Sequence, residues 1–197
     1  MYFGGLEPHI LYATAEIARK RLVIARLVLL IPLWNAPGHC RDGWNGTGHD
    51  KIIGMPLYLA HGSNMNRAAM RHRCPGARAL GPAVLDGYRF FVGIDGWGSV
   101  KPSAGDTVHG ILWRLTPRDV AALHAYELLH VGLYDVRHLP VRAGARLLSA
   151  MIYLLRRWAP GRPRPGYIEM IAACARSWNL PDRYVRSIDK IAIYERR

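Results

Sequence analysis

The order of the β-prone and helical runs from Leu57 onward constrains this chain more than any other feature. Leu57–His61 (LYLAH) is a short apolar run that stops abruptly at Gly62-Ser63-Asn64. Tyr88–Ile94 (YRFFVGI) and Thr107–Leu115 (TVHGILWRL) are rich in β-branched and aromatic residues, with a Gly-rich turn at Asp95-Gly96-Trp97-Gly98 after the first of them. Val108, Ile111, Leu112 and Trp113 supply core there. Leu133–Ala143 and Leu147–Leu155 read as two further strands. A helical pattern stands between them: Thr116 is placed to cap it, Pro117 opens it, and it continues to Leu129. Val120, Leu123 and Glu127 recur at i, i+3 and i+7, so Glu127 follows the apolar stripe.

Asn66–Arg73 (NRAAMRHR) predicts a short helix capped by Ser63 or Asn64. Cys74–Ala83 reads as connection and Pro160–Pro165 as a Pro/Arg/Gly linker. Gly166–Leu180 and Pro181–Tyr194 close the chain as two helices. Strands bunched early, a helix between, and two helices at the end predict an α+β fold. Its mixed sheet curls into a small barrel with flanking helices.

Residues 1–54 follow a different pattern. Arg19-Lys20-Arg21 precede the apolar run 22–34, which is shorter than the roughly 20 residues a membrane span needs and is broken by Arg26. Glu7 and Glu16 do not suit a secretory leader, and no small-x-small cleavage site follows. Residues 35–54 are rich in Gly, Asn and Asp and read as loop. The expected plan is therefore an N-terminal extension over 1–54, poorly ordered or produced by an over-extended reading frame. One domain over 55–197 follows, with Met55 as the natural start. A competing reading lays residues 19–34 on a membrane surface as a basic helix.

A formal net charge of +13 would suit an acidic partner. Arg dominates that charge, however, and there is no block of five or more Lys/Arg, no zinc-finger spacing and no RNA-binding aromatic pattern. No nucleic-acid partner is expected. Cys40, Cys74 and Cys174 are few, odd in number and far apart, which speaks against disulfides and zinc and for a reducing, cytoplasmic setting. His109, His130 and His138 lack ligand spacing, so no metal is expected.

The loop in YLAHGSNM (58–65) can be read in two ways. A glycine followed by two small polar residues suits a backbone that offers N–H donors to an anionic ligand. It suits a plain tight turn equally well. Glu127 alone is no stronger a signal, since a helical Glu is ordinarily solvated.

Four blocks decide the matter when taken in order: YLAHGSNM, VHGILWRLTPRDVAALHAYE (108–127), GLYDVRHLPV (132–141) and RPRPGYIEMIAACARSWNLPDRYV (162–185). Together they resemble the γ-glutamylcyclotransferase-like family, which includes γ-glutamylamine cyclotransferases and plant avirulence-induced proteins. The resemblance spans 55–197 and leaves 1–54 untouched. It implies a small mixed β-barrel and an enzyme that converts a γ-glutamyl group to 5-oxoproline, releasing an amine or amino acid without cofactor or metal. It further implies that Gly62, Ser63 and Asn64 form the substrate loop, with His61 where the family usually has Tyr. Glu127 takes the place of the catalytic acid/base, and Tyr134 and Tyr167 match aromatic positions near the ligand. Either tyrosine would serve equally as a core residue with a satisfied hydroxyl.

The chemistry is intelligible without the name. The substrate's α-amino nitrogen attacks its own γ-carbonyl, so the protein mainly holds a folded conformer. One carboxylate within reach of both nitrogens can take a proton from the attacking amine and return it to the leaving one. Departures from the family pattern fall at His61, at His124 where an Asp is usual, and at Leu128 and Leu129. His124 either pairs with Glu127 at i, i+3 or sits exposed on the helix surface. These departures motivate an alternative: the same fold retained as a small-molecule or protein binding module with decayed catalysis. A weaker option is an electrostatic binder of nucleic acid or membrane. Oligomeric state is not read from the sequence.

Overall fold

Five strands close into a barrel in the order β1-β3-β2-β4-β5, where β1 is Leu57–Ala60, β2 Arg78–Val92, β3 Gly98–Arg114, β4 Tyr134–Ala143 and β5 Arg146–Leu155. The structure, a computed structural model, describes residues 54–194, with side chains described to residue 191. The N-terminal extension expected over 1–54 lies outside the described residues except for Gly54. All strand pairs are antiparallel apart from β1 and β5, which run parallel with Tyr58 opposite Met151. The sheet is thus mixed, as the run order predicts.

The ladder between β2 and β3 is longer than the sequence suggests. Cys74–Ala83 was expected as connection, yet β2 begins at Arg78. The third strand was expected from Thr107, yet β3 begins at Gly98. The addition to β2 is largely exposed, that to β3 is buried only over 98–100, and both contain Gly, Pro and charged residues, so apolar periodicity does not reveal them. Cross-strand hydrogen bonds hold them instead. The register shifts between Ala79 and Gly81 and between Asp86 and Tyr88. Gly81 (φ +118°) and Gly87 (φ +76°) adopt at those shifts a backbone that a side chain would disfavour.

Side chains from β1, β2, β3 and β5 fill the core. Leu59, Leu85, Val108, Ile111, Leu112, Ile152 and Leu155 are essentially inaccessible. Burying each such side chain contributes about 1.5–3 kcal/mol. Burial in β3 is continuous over 98–100, is lost in the middle of the strand, and becomes continuous again from Gly110 to Trp113, where both faces are covered.

Four helices flank the barrel: α1 Arg67–Arg73, α2 Pro117–Tyr126, α3 Tyr167–Ser177 and α4 Asp182–Tyr194. The start of α2 is as expected, with a full capping box. Thr116 Oγ1 accepts the Asp119 N–H at 3.2 Å, and Asp119 Oδ2 accepts the Thr116 N–H at 2.9 Å. Its end is not as expected. The helix stops at Tyr126, Glu127 is the C-cap, and Leu128 turns left-handed (φ +56°) with its apolar side chain buried. Glu127 therefore sits at a helix terminus rather than along a stripe. α3 buries Ile168, Met170, Ile171 and Ala175, and α4 buries Tyr184, Val185 and Ile188.

The cap of α1 also differs from expectation. Asn66 caps it, accepting the Ala69 N–H through Oδ1 at 2.9 Å; Ser63 and Asn64 lie one short 3-10 turn earlier. Asn66→Ala should cost about 1 kcal/mol. A melting temperature within error of the parent would contradict that assignment.

Candidate active site

Gly110 seats the end of β1. A methyl group there would lie 2.4 Å from the Ala60 carbonyl oxygen, so strands β1 and β3 approach closely only because residue 110 is glycine. Immediately beyond Ala60 the chain turns through Gly62 into the 3-10 turn Ser63–Met65. The Gly62 carbonyl accepts the Met65 N–H at 3.0 Å, and the Ser63 carbonyl accepts the Asn66 N–H at 3.1 Å. Trp178, just after α3, donates its indole N–H to the Met65 carbonyl at 2.7 Å and lies edge-on to Trp113. The turn is thereby held from both sides.

Asn64 is buried, and freed from capping it serves another purpose. Its Nδ2 donates to Glu127 Oε1 at 2.8 Å and to the Tyr58 hydroxyl at 2.9 Å, while its Oδ1 accepts from Arg73 Nη1. Glu127 is only 6 % exposed. A carboxylate so deeply buried needs such donors to stay in place. The loop after the first strand and the acid at the end of α2, 63 residues apart, meet directly.

Polar side chains surround Glu127, and through Asn64 they include the Arg73 guanidinium. Burial, and then the negative charge of Glu127, push the Tyr58 and Tyr153 hydroxyls well up. Burial and the nearby Asp119 push the Cys74 thiol up to about 12. Burial lowers His61 to about 4, outweighing a backbone hydrogen bond to Tyr153 and the attraction of Glu127. His61 is 7 % exposed and packs edge-on against Phe90 at 6.3 Å.

This burial makes stability depend on acid. The unfolded chain binds a proton at His61 near pH 6.5, whereas the folded chain resists until about 4. Between those values the unfolded state binds more protons, so stability falls as pH falls, by up to about 3 kcal/mol. Urea unfolding of the parent at pH 7 and pH 4.5 should show this loss, and His61→Phe should remove most of it. Identical pH dependence in both proteins would rule out His61 as its source.

A second grouping forms around Gly98 at the start of β3. Tyr167 at the head of α3 accepts the Gly98 N–H on its hydroxyl at 3.0 Å, and Tyr134 at the start of β4 donates its hydroxyl to the Gly98 carbonyl at 3.1 Å. The linker Pro160–Pro165 delivers Tyr167. It bridges Gly93 at Pro160 and stacks the Arg164 guanidinium over Trp97, which packs edge-on against Tyr167 at 5.3 Å. Gly62 faces the same hydroxyl: a methyl group on it would lie 3.3 Å from Tyr167 Oη. A methyl group on Gly98 would meet the Phe90 ring at 2.7 Å.

The residues singled out from the sequence thus fall into two linked sets. Asn64 and Glu127 are bonded to each other, with His61 close enough to feel the carboxylate charge. Tyr134 and Tyr167 bond to Gly98, Gly62 faces the Tyr167 hydroxyl, and Phe90 lies beside both His61 and Gly98. Ser63 contributes its carbonyl to the turn. His124 is half-buried rather than exposed. It packs edge-on against Tyr153 at 6.0 Å, and its Nε2 has no hydrogen-bond partner among the described residues, so that nitrogen makes no pair with Glu127.

Tyr58, Arg73, Phe90, Gly98 and Trp178 were missed. A tyrosine inside an otherwise apolar buried strand could have flagged Tyr58, since its hydroxyl needs a partner; the others carry no local signal. Cys74 and Cys174 are free and buried, and Cys40 lies outside the described residues. Among the described residues no cluster of three or more His, Cys, Asp or Glu could hold a metal, and no helix is long and apolar enough to cross a membrane. An open cavity of about 540 Å³ lined by Tyr88, Arg137, Leu154 and Trp158 contains none of the site residues.

Known proteins are similar to this chain in sequence and in fold. The AIG2-like family matches residues 107–188, which include Glu127, Tyr134 and Tyr167. Gamma-glutamylcyclotransferase of Mus musculus is 26 % identical over 147 residues, covering 68 % of this chain and 78 % of the mouse protein. The Homo sapiens protein of the same name is 25 % identical over 146 residues with the same coverage. A solved structure of a gamma-glutamyl cyclotransferase superposes with a TM-score of 0.64 at 23 % identity, over 68 % of this chain and 86 % of the other.

Proposed function

We propose that this γ-glutamylcyclotransferase-like chain cyclises the γ-glutamyl group of a small-molecule amide to 5-oxoproline and releases the attached amine or amino acid, with Glu127 as general acid/base. The observation that carries the reading is the direct hydrogen bond from Asn64, in the Gly-Ser-Asn turn, to the buried Glu127 carboxylate. A base held beside a turn rich in backbone donors is what intramolecular aminolysis requires.

The steps follow from the substrate's connectivity. The α-ammonium gives a proton to Glu127, and the freed amine nitrogen attacks the γ-carbonyl carbon of the same glutamyl group. A five-membered ring closes through a tetrahedral oxyanion. The first N–H groups of a 3-10 turn have no partner within the turn, and in this reading those of the Ser63–Met65 turn serve as donors to that oxyanion or to the glutamyl carboxylate. Each such donor is typically worth about 3–4 kcal/mol. The ring carbonyl re-forms as the C–N bond breaks: Glu127 returns its proton to the departing nitrogen and then takes the second proton from the ring nitrogen, which passes on to the released amine, so the lactam keeps one N–H and the amine leaves as an ammonium. Tyr134 and Tyr167, fixed on Gly98, wall the substrate side, and His61 stays neutral and adds no competing charge near pH 7. Proton transfer and oxyanion stabilisation are both supplied by this chain, so the reaction calls for no cofactor. Free thiols at Cys74 and Cys174 suit a reducing, cytoplasmic setting.

The test is to incubate the full chain with a panel of γ-glutamyl amino acids and γ-glutamyl amines and to measure 5-oxoproline by mass spectrometry. Catalytic release from at least one member is expected. Thermal stabilisation by the panel without any 5-oxoproline would instead favour a binding module with decayed catalysis.

A further inference from the structure

We infer that Arg73 is a positioning residue of this site: it holds Asn64 in the one orientation that aims its amide NH₂ at Glu127. The effect on turnover rests on the reaction proposed above; the effect on Asn64 does not. Arg73 is the last residue of α1. Its guanidinium lies flat over the Tyr126 ring, 3.8 Å from the ring centre, and Tyr126 immediately precedes Glu127. Its Nη1 donates to Asn64 Oδ1.

The logic is one of donors and acceptors. A guanidinium has five N–H donors and no acceptor, and an ionised carboxylate only accepts. Asn64 carries one group of each kind and lies between them. Rotated by half a turn, it would set its NH₂ against the guanidinium donors and its oxygen against the carboxylate. Both contacts would then be repulsive in a place shielded from water. With Arg73 present the side chain has a single satisfied orientation, and the second amide hydrogen reaches the Tyr58 hydroxyl. Without Arg73 nothing among the contacts described here opposes rotation at the oxygen end. A lysine could supply a positive donor but not the planar stack on Tyr126 that aims it. Arg73 Nε and Nη2 have no partner among the described residues, so the Asn64 bond and the Tyr126 stack are what orient the guanidinium.

Two variants of the full chain, Arg73→Met and Arg73→Lys, test this. The primary readout is solvent exchange of the Asn64 side-chain amide hydrogens, followed by NMR. Exchange should quicken about 10- to 100-fold in R73M, the range expected for losing a charge-assisted bond, and by less in R73K. The second readout is turnover on a γ-glutamyl substrate. Because the Asn64 side chain bonds to Glu127, while only the backbone of its turn is assigned to the substrate, kcat should fall by a similar factor in R73M, with KM within about threefold and partial recovery in R73K. Unchanged Asn64 exchange in a folded variant overturns the inference, as does unchanged kcat in an active protein. If R73M does not fold, R73K carries both readouts. If the parent makes no 5-oxoproline, the proposed reaction fails, while Asn64 exchange still decides the role of Arg73.

Discussion

Glu127→Gln should lower kcat for 5-oxoproline release by about 10²–10⁴-fold, the usual contribution of a positioned acid–base group. The substitution changes almost no volume. The glutamine oxygen can still accept from Asn64 Nδ2, which reaches the carboxylate at 2.8 Å in the parent, so the buried contact survives in neutral form. Stability should therefore shift by no more than about 1–2 kcal/mol. KM should change little, because the lost proton transfer belongs to the transition state. Turnover at the parental rate would remove Glu127 from the mechanism. A fall in activity matched by unfolding would show only a structural role.

Gly110→Ala should damage both fold and activity. The added methyl group would lie 2.4 Å from the Ala60 carbonyl oxygen and 3.1 Å from Leu59 Cδ1. The nearer obstacle is backbone in a paired strand, where Ala60 stands opposite Ile111, and cannot swing aside like a flexible side chain. Overpacking of this kind costs about 1–3 kcal/mol, occasionally more. The melting temperature should fall by several degrees as a result. β1 can relax only by moving away from β3, and its next residues are His61, Gly62, Ser63 and Asn64. The Asn64–Glu127 bond should lengthen, and kcat should fall beyond what partial unfolding explains. A variant with parental stability and activity would show that β1 is not seated on Gly110.

These two residues show what the sequence disclosed and what it hid. Strand order, the Thr116-Pro117 helix start and the mixed barrel were legible, because apolar alternation and capping residues act locally. The start of β2 at Arg78–Pro82 and the stretch Lys101–Asp106 of β3 were not, because they are mostly exposed and hydrogen bonds to a partner strand leave no apolar signature. The Gly-Ser-Asn turn and Glu127 were found through resemblance. Their meeting is a tertiary fact no spacing encodes: Asn66 took the cap, which left Asn64 free to reach 63 residues along the chain. Gly110 belongs to the block 108–127 that carries the resemblance, but its reason appears only when Ala60 is set against it. Arg73 carried no local signal at all. Neither reading of His124, paired with Glu127 or exposed, foresaw its packing on Tyr153, which comes from a strand 29 residues away.

The most direct test of the account is turnover in H₂¹⁸O with a γ-glutamyl substrate carrying ¹⁵N at the α-amino position. Ring closure by the substrate's own nitrogen predicts 5-oxoproline that contains ¹⁵N and no ¹⁸O, with an unlabelled amine released. Glutamate bearing one ¹⁸O would mean that water attacks instead, and would contradict the cyclisation this site is argued to perform.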